Sequence, residues 1–353
     1  NREFVYAKHT DPYENRVSKL SEKIKLIPIV GDDGALLWIE FRDEIHLGSR
    51  KEVVHTRAPA RITFGGGGSD KLDFFKHSHG LCINAAVKKY AFCTLCKPDS
   101  GCFVHIVSTD YECEWKFASL EELNATSDTR LLIYKTVLSL LNYSRPIKIM
   151  THCDFPIGSG LGGSSSLTVA ILHAFHEMEG HAVSKIRLAQ DAYKIERIAM
   201  QIKGGWQDQY VAAVGGINAL YFAKEKHDVH NLRLDSRILL ELEASLYLCF
   251  TGSVHDSSKI HIGIDLSEHD RAQKMQETVR LASEMVSALT NGDLDNFDGN
   301  MNENWELKKQ YSEQISNADL DEQILGLKKA GATSVKILGA GGGGYFLARV
   351  PTH

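Results

Sequence analysis

Residues 156–166 constrain this chain more than any other stretch. They read Pro156, Ile157, Gly158, Ser159, Gly160, Leu161, Gly162, Gly163, Ser164, Ser165, Ser166. Ahead of them Ile147 to Phe155 has the composition of a strand. Behind them Leu167 to Met178 is rich in apolar helix formers, so a helix opens near the serines. A strand, a glycine loop and a helix N-terminus in succession build a phosphate site. Glycines let backbone N–H groups turn inward and approach oxygen closely. The helix start adds N–H groups without intrahelical partners and the positive end of the dipole. Narrower readings fit less well. The loop lacks the lysine of a P-loop, since Ser164 follows Gly163. Gly158, Gly160 and Gly163 have the spacing of a dinucleotide fingerprint. That fingerprint needs a second strand ending in an acid about 20 residues on, where helical pattern continues here to Glu179. An ordinary loop would not need glycine or serine at eight of the nine positions 158–166.

With 353 residues the chain has room for two domains with sizeable cores. Its 43% hydrophobic and 24% charged residues are ordinary for a soluble globular protein. A net charge of −5 argues against nucleic acid or a membrane surface as partner. No apolar run approaches the roughly 18–20 residues of a membrane span, and no secretory signal is visible. The chain opens on Asn1 rather than Met, which suits a fragment or a processed product. Seven scattered cysteines suit a reducing, cytoplasmic setting. Cys93 and Cys96 form a C-x-x-C, with Cys102 and Cys113 beyond, a spacing that a zinc site could use. Tyr90 to Cys96 reads as a strand, however, where free cysteines act as small core residues. The sixteen histidines show no ligand spacing.

Along the chain, Lys25 to Val30, Gly31-Asp32-Asp33-Gly34 and Ala35 to Phe41 read as a hairpin. With Val17 to Leu20 and Arg42 to Ile45 around it, this stretch resembles half of a CBS motif; a hairpin extension packed on the main body fits as well. Val53 to Phe64 is the first strand of the main body and ends in Gly65-Gly66-Gly67-Gly68-Ser69-Asp70. Such a turn lets backbone approach a small ligand, with Asp70 accepting from its hydroxyls; Asp70 could equally cap a helix over 71–75. Residues 81–117 carry several short strands, and Thr129 to Leu141 is a helix. Ser184 starts another, whose apolar face runs Ile186, Ala189, Ala192, Ile195, Ala199, Ile202, with Glu196 beside it and a stop at Gly204-Gly205. Asp208 follows directly, in a setting where an acid is often desolvated or closely paired; a solvated cap fits the local residues as well. The charged run 224–228 marks a domain boundary. Ala272 to Leu289 is a long helix, and Asp293 to Tyr311 a second, interrupted near Gly299. Asn317 caps a helix closed by Gly331. Two strands then flank Gly339-Ala340-Gly341-Gly342-Gly343-Gly344.

Three glycine clusters at strand ends, in this order, resemble the GHMP kinase superfamily. The first motif is similar to Arg57 through Asp70, the second to Pro156 through Ser166, the third to Leu338 through Gly344. Within that superfamily the similarity is greatest to bacterial D-glycero-D-manno-heptose 7-phosphate kinases, on Gly204 through Tyr210, Phe250-Thr251-Gly252 and Trp305-Glu306-Leu307-Lys308-Lys309. Gly163 and Ser166 depart from the family's usual residues but stay small, so the loop is expected to survive. Trp206, beside the base, and Lys71-Leu72-Asp73, after the first motif, also depart; the departures leave the kinase reading intact while bearing on which sugar is taken.

The resemblance implies an α+β fold of two domains: a ribosomal protein S5 domain 2-like N-terminal domain over 53–225 and a ferredoxin-like C-terminal domain over 226–353, after an extension at 1–52. It implies ATP bound by Gly158, Ser159, Gly160, Leu161, Gly162, Gly163, Ser164 and Ser165, with Mg²⁺ on Ser164 and Glu196. It makes Asp208 the residue that takes the acceptor's proton and Arg61 its charged partner. Asp70, Gly67, Gly68, Gly205 and Gly342 would border the sugar. The activity implied is phosphorylation of an anomeric hydroxyl. Alternatives are a fucokinase-like enzyme or, from another class, a silent sugar-binding sensor. A homodimer and an upstream module are compatible with it; nucleic acid and membrane are not expected partners.

Overall fold

A computed structural model of the protein describes residues 51–156, 158–253 and 267–351, and short pieces of the first 41. Ile157 of the glycine loop, the Asp32-Asp33 corner and residues 42–50 of the CBS-like stretch lie outside the described residues. Near the start, β1 (Ala7–Lys8) runs parallel to β2 (Leu26–Val30), and β3 (Leu36–Phe41) antiparallel to it. The hairpin is thus as expected.

The second sheet is the frame of the site. Its elements are β4 (Val54–Gly65), the short helix α1 (Leu72–Phe75), β5 (Gly80–Cys96), β6 (Val104–Ser108), β7 (Cys113–Phe117), α2 (Leu120–Ala125), α3 (Leu132–Leu140), β8 (Ile147–Cys153), α4 (Gly163–Met178), α5 (Lys185–Tyr193), α6 (Gln207–Val214), β9 (Ile217–Phe222) and β10 (His227–Asn231). Strand order is β10-β9-β5-β8-β6-β7, with β4 also on β5. The β6–β8 pair is parallel, so the sheet is mixed.

Where several short strands were expected after residue 80, residues 80–96 form one strand of 17 residues. Residues 80–85 pair with β9 and 91–96 with β8, while β4 runs alongside both halves. Lys88 and Lys89 are exposed where the partner changes, and they break the apolar run. Cys93 is buried in the core of this region, and all seven cysteines are free.

α4 carries buried residues around most of its circumference, including Val169, Ala170, Ile171, Leu172, Ala174 and Phe175, which is the pattern of a central helix. Ser184 caps α5, as its side chain accepts from the Arg187 N–H. The expected apolar face holds at Ala189, Ala192 and Ile195 but not at Ile186 and Ala199, which are exposed. The helix widens into a π turn over Lys194–Ala199, which shifts its register, and Gln201 then takes φ +55. It therefore ends ahead of Gly204-Gly205. β10 pairs with β9, so the run 224–228 is the turn and the first two residues of a hairpin strand, and the boundary expected at 225/226 falls within that hairpin.

The remaining elements are α7 (Ser236–Ser245), β11 (Leu246–Phe250), α8 (Glu268–Asn291), α9 (Leu294–Lys309), α10 (Ala318–Lys329), β12 (Ser334–Ile337) and β13 (Tyr345–Arg349). β11-β13-β12 form an antiparallel sheet. α9 continues through Gly299, which faces open space. Asp293 and Asn317 cap α9 and α10. One core joins both halves of the chain: Phe64, Leu81 and Ile83 pack with Leu281, Met285, Phe297 and Leu338. Lys336 of β12 crosses this core to donate to the Phe64 carbonyl at 2.7 Å. Among the described residues no helix is long and apolar enough to cross a membrane.

Candidate active site

The phosphate loop leaves β8 and turns through Gly158, Gly160 and Gly162 at φ +77, +77 and +78, backbone that other residues adopt at a cost. Gly162 is the N-cap of α4 and no side chain caps the helix. The N–H groups of Gly163, Ser164 and Ser165 lie in the first turn, where an α-helix provides no acceptor, and so suit an anion. The loop is held from behind. Arg61 N–H donates to the Leu161 carbonyl at 3.0 Å, and Ser166 Oγ to the Pro59 carbonyl at 2.8 Å. Leu161 sends its side chain into the core, so it can serve a ligand only through its backbone. Ser159 is buried; Gly158 and Ser164 are exposed.

Glu196 is fully buried under this helix start. Its Oε1 accepts from Ser164 Oγ at 2.5 Å, and its Oε2 from Ser165 Oγ at 2.6 Å and Gln209 Nε2 at 2.5 Å. Arg197 Nη1 stands 4.0 Å from Oε1. Burying a carboxylate is costly unless donors such as these satisfy its oxygens. The π turn is what brings Glu196 beneath the serines. Gln209 Oε1 is buried with no hydrogen-bond partner, a polar atom still to be satisfied.

Asp208 lies in the first turn of α6. Arg61 Nε donates to its Oδ1 at 2.7 Å, and Arg61 Nη1 to the Gly160 carbonyl at 2.5 Å. One guanidinium thus joins the carboxylate to the phosphate loop. A Cβ placed on Gly162 would stand 3.3 Å from Arg61 Cγ and 3.5 Å from Asp208 Cγ. The carboxylate therefore sits against the N-terminus of α4, as closely as glycine permits. Thr63 and Gln207 hold the same corner together, Oγ1 to Oε1 at 2.9 Å.

Asp70 is buried beside this corner. It does not cap α1, whose N-cap is Lys71 without a side-chain bond. Instead Oδ1 accepts from Gly68 N–H at 3.0 Å and Oδ2 from Gln207 N–H at 3.1 Å. Gly205 packs so tightly on this carboxylate that a Cβ there would overlap it. Gly67 and Gly68 remain accessible at the rim. The third cluster closes from the other half of the chain. Gly160 backs onto Leu338 and Gly339, where a Cβ on Gly160 would stand 2.9 Å from the Leu338 carbonyl oxygen. Gly342 donates its N–H to Ile315 O at 2.8 Å and is buried, so its backbone is spent on the fold.

Sequence reasoning passed over several residues of this site. Gln209 lies two positions after Asp208, and only the bend of the chain shows that it completes the Glu196 cluster. Lys308, noted only within Trp305 to Lys309, donates to the Gly339 carbonyl at 2.6 Å. Burial, reinforced by the charges of Arg61 and Lys71, lowers its ammonium to about 7. Trp206, singled out in the sequence as a departure, stacks on Tyr193 with ring centroids 3.4 Å apart, bracing the start of α6.

Family models for the N-terminal and C-terminal domains of GHMP kinases match residues 131–216 and 285–353. The D-glycero-alpha-D-manno-heptose 7-phosphate kinase of Campylobacter jejuni is 33% identical over 308 residues, spanning 84% of this chain and 88% of that protein. The chain belongs to the GHMP kinases. The fold expected from the three glycine motifs is therefore the observed one. A crystal structure of a D-glycero-D-manno-heptose 1-phosphate kinase from Bacteroides thetaiotaomicron superposes with a TM-score of 0.70 at 30% identity, covering 85% of this chain and 88% of that one. The bifunctional fucokinase/GDP-fucose pyrophosphorylase of Arabidopsis thaliana is 24% identical over 314 residues; these are 82% of this chain but 29% of that protein. As a GHMP kinase, the protein uses ATP as its phosphate donor.

Proposed function

We propose that this GHMP kinase transfers the γ-phosphate of ATP to the anomeric hydroxyl of D-glycero-D-manno-heptose 7-phosphate, giving the 1,7-bisphosphate. The observation that carries the transfer is the approach of the Asp208 carboxylate to the N-terminus of α4. Phosphoryl transfer asks a protein for position and charge rather than covalent chemistry. The loop from Gly158 to Ser165 takes the phosphates, Asp208 accepts the proton of the attacking hydroxyl, and Arg61 keeps that carboxylate in place. An anomeric hydroxyl is more acidic than an ordinary alcohol, so a carboxylate suffices as base. Ser164 and Glu196 offer oxygen donors of the kind Mg²⁺ takes, and the unsatisfied Gln209 Oε1 beside them fits a water on such an ion. When bound, Mg²⁺ would neutralise charge on the transferred phosphates. Asp70, with Gly67, Gly68 and Gly205, would border the sugar.

The acceptor is assigned on the similarity to the Campylobacter enzyme. A fucokinase-like enzyme is the second reading, favoured by the similarity to the plant bifunctional protein. ATP consumption with Mg²⁺ against free and phosphorylated sugars separates them. Turnover on heptose 7-phosphate with a 1,7-bisphosphate product is the expected result. Turnover on fucose alone would keep the mechanism and replace the acceptor. ATP binding with no turnover on any sugar would leave a sugar-binding sensor.

A further inference from the structure

The two halves of the chain meet at the phosphate loop with no room to spare. Gly339 opens the third glycine cluster at φ +68, and a Cβ on it would stand 2.7 Å from Gly160 Cα and 3.1 Å from the Gly160 carbonyl oxygen. Gly344 closes that cluster against Ser159, where a Cβ would come within 2.5 Å of the carbonyl oxygen. The Gly160 carbonyl also accepts from Arg61 Nη1, and Arg61 Nε in turn holds Asp208. A shift of Gly339 therefore passes to the loop and to the guanidinium that sets the carboxylate.

Lys308 holds Gly339 in place. It lies in the last turn of α9 and donates from Nζ to the Gly339 carbonyl at 2.6 Å. The ring of buried Trp305, one turn earlier, lies 5.9 Å from the same nitrogen. The charges that act on this ammonium are cations: Arg61 of β4 and Lys71 after the first glycine turn. Lys336 of β12 and Lys308 also feel one another. On α9 itself Glu306 pairs with Lys309 at 2.9 Å. Among the described residues no carboxylate lies within ion-pair distance of Lys308. The Gly339 carbonyl is thus its printed polar contact within the fold. A charged donor makes roughly twice as strong a bond to such a carbonyl as a neutral one. Burial first, then Arg61 and Lys71, brings the ammonium to about 7, so the stronger bond is lost as pH rises through neutrality.

We propose that Lys308 is a positioning residue for phosphoryl transfer: in its charged form it holds the third glycine cluster against Gly160 and keeps the phosphate loop in register with Arg61 and Asp208. This role rests on the phosphate-loop reading given above and does not depend on which sugar is taken.

The test measures kcat/KM for ATP at saturating acceptor, and calorimetric affinity for a non-hydrolysable ATP analogue with Mg²⁺, at pH 7 and pH 9. The proteins are the wild type, Lys308→Met and Lys308→Arg. In the wild type both quantities should fall by about fivefold between the two pH values, as a half-charged donor becomes neutral. Lys308→Met should be lower by about fivefold or more at pH 7 and unchanged by pH. Lys308→Arg, charged throughout, should stay within about twofold of the pH 7 wild type at both. Urea midpoints for each protein separate this from unfolding: a structural role would have activity follow stability, whereas here wild-type activity falls while stability rises. Values in Lys308→Met that match the wild type at both pH values, or a parallel fall in all three proteins, would overturn the role. Should Lys308→Arg not fold, the flat profile of Lys308→Met against the falling wild type still decides. If no sugar is turned over, the acceptor reading fails separately, and the calorimetric comparison alone upholds or removes Lys308.

Discussion

Asp70 Oδ2 accepts the backbone N–H of Gln207 at 3.1 Å, so the loop after β4 caps the helix that carries Asp208 from 137 positions away. Its other oxygen holds Gly68 N–H. In Asp70→Asn one of these N–H groups faces an amide NH₂ instead of an acceptor. The expected cost is about 1–3 kcal/mol of stability. kcat should fall more than tenfold while ATP affinity by calorimetry changes little. An unaltered kcat would show that Asp208 keeps its place without this cap.

Asp208→Asn removes the proposed proton acceptor and keeps the shape. Turnover should drop by about 10²–10⁴-fold with ATP still bound. Near-normal turnover would take Asp208 out of the chemistry.

The Arg61–Asp208 pair has side chains only 7% and 19% exposed. Arg61→Met would remove this ion-pair partner of the carboxylate, at a cost of about 3 kcal/mol, the low end for a broken buried pair. Adding Asp208→Asn to that variant should recover part of the loss in urea unfolding. No recovery would mean that Arg61 acts chiefly through Gly160.

Glu196→Gln keeps the volume but places one amide nitrogen among three donors. Half-saturation by Mg²⁺ should move upward at least tenfold, and more than KM for the sugar. Equal shifts in both would assign Glu196 to the fold alone.

Lys308, Lys336 and Lys71 are all pushed below the ordinary lysine value of 10.5, first by burial. The folded protein therefore binds fewer protons than the unfolded one between about 7, the Lys308 value, and 10.5. Below that window the cost of burying charge is present in full, and it is relieved as pH rises. Urea midpoints should climb from pH 7 to 9, and Lys336→Met should flatten the climb. A midpoint falling over that range in both proteins would contradict the burial of these ammonium groups.

Much of the site was legible because glycine marks places where backbone must come close. The three clusters named the loops that meet, and Asp208, Arg61, Ser164 and Glu196 do converge. What sequence hid depends on direction in space. Gly342 was grouped with the sugar-facing residues, yet its N–H points to Ile315. Asp70 sat where a cap was expected, but it caps α6 from a distance rather than its own neighbour. β10 was cut from its sheet because a charged hairpin turn and a linker have the same composition. The π turn leaves no mark in a periodicity that assumes one pitch.

That π turn also sets a limit on how this protein can vary. Each residue advances an α-helix by about 100°, so a π turn stores one residue more than the flanking helix needs. Deleting a single position within 194–199 could tighten the segment to ordinary pitch with little disturbance to its hydrogen bonding. The same deletion would swing Glu196 about a quarter-turn away from Ser164 and Ser165. The chain would keep its shape while the carboxylate proposed to hold Mg²⁺ moved off the serines: under that proposal a folded relative, blind to magnesium, lies one codon away.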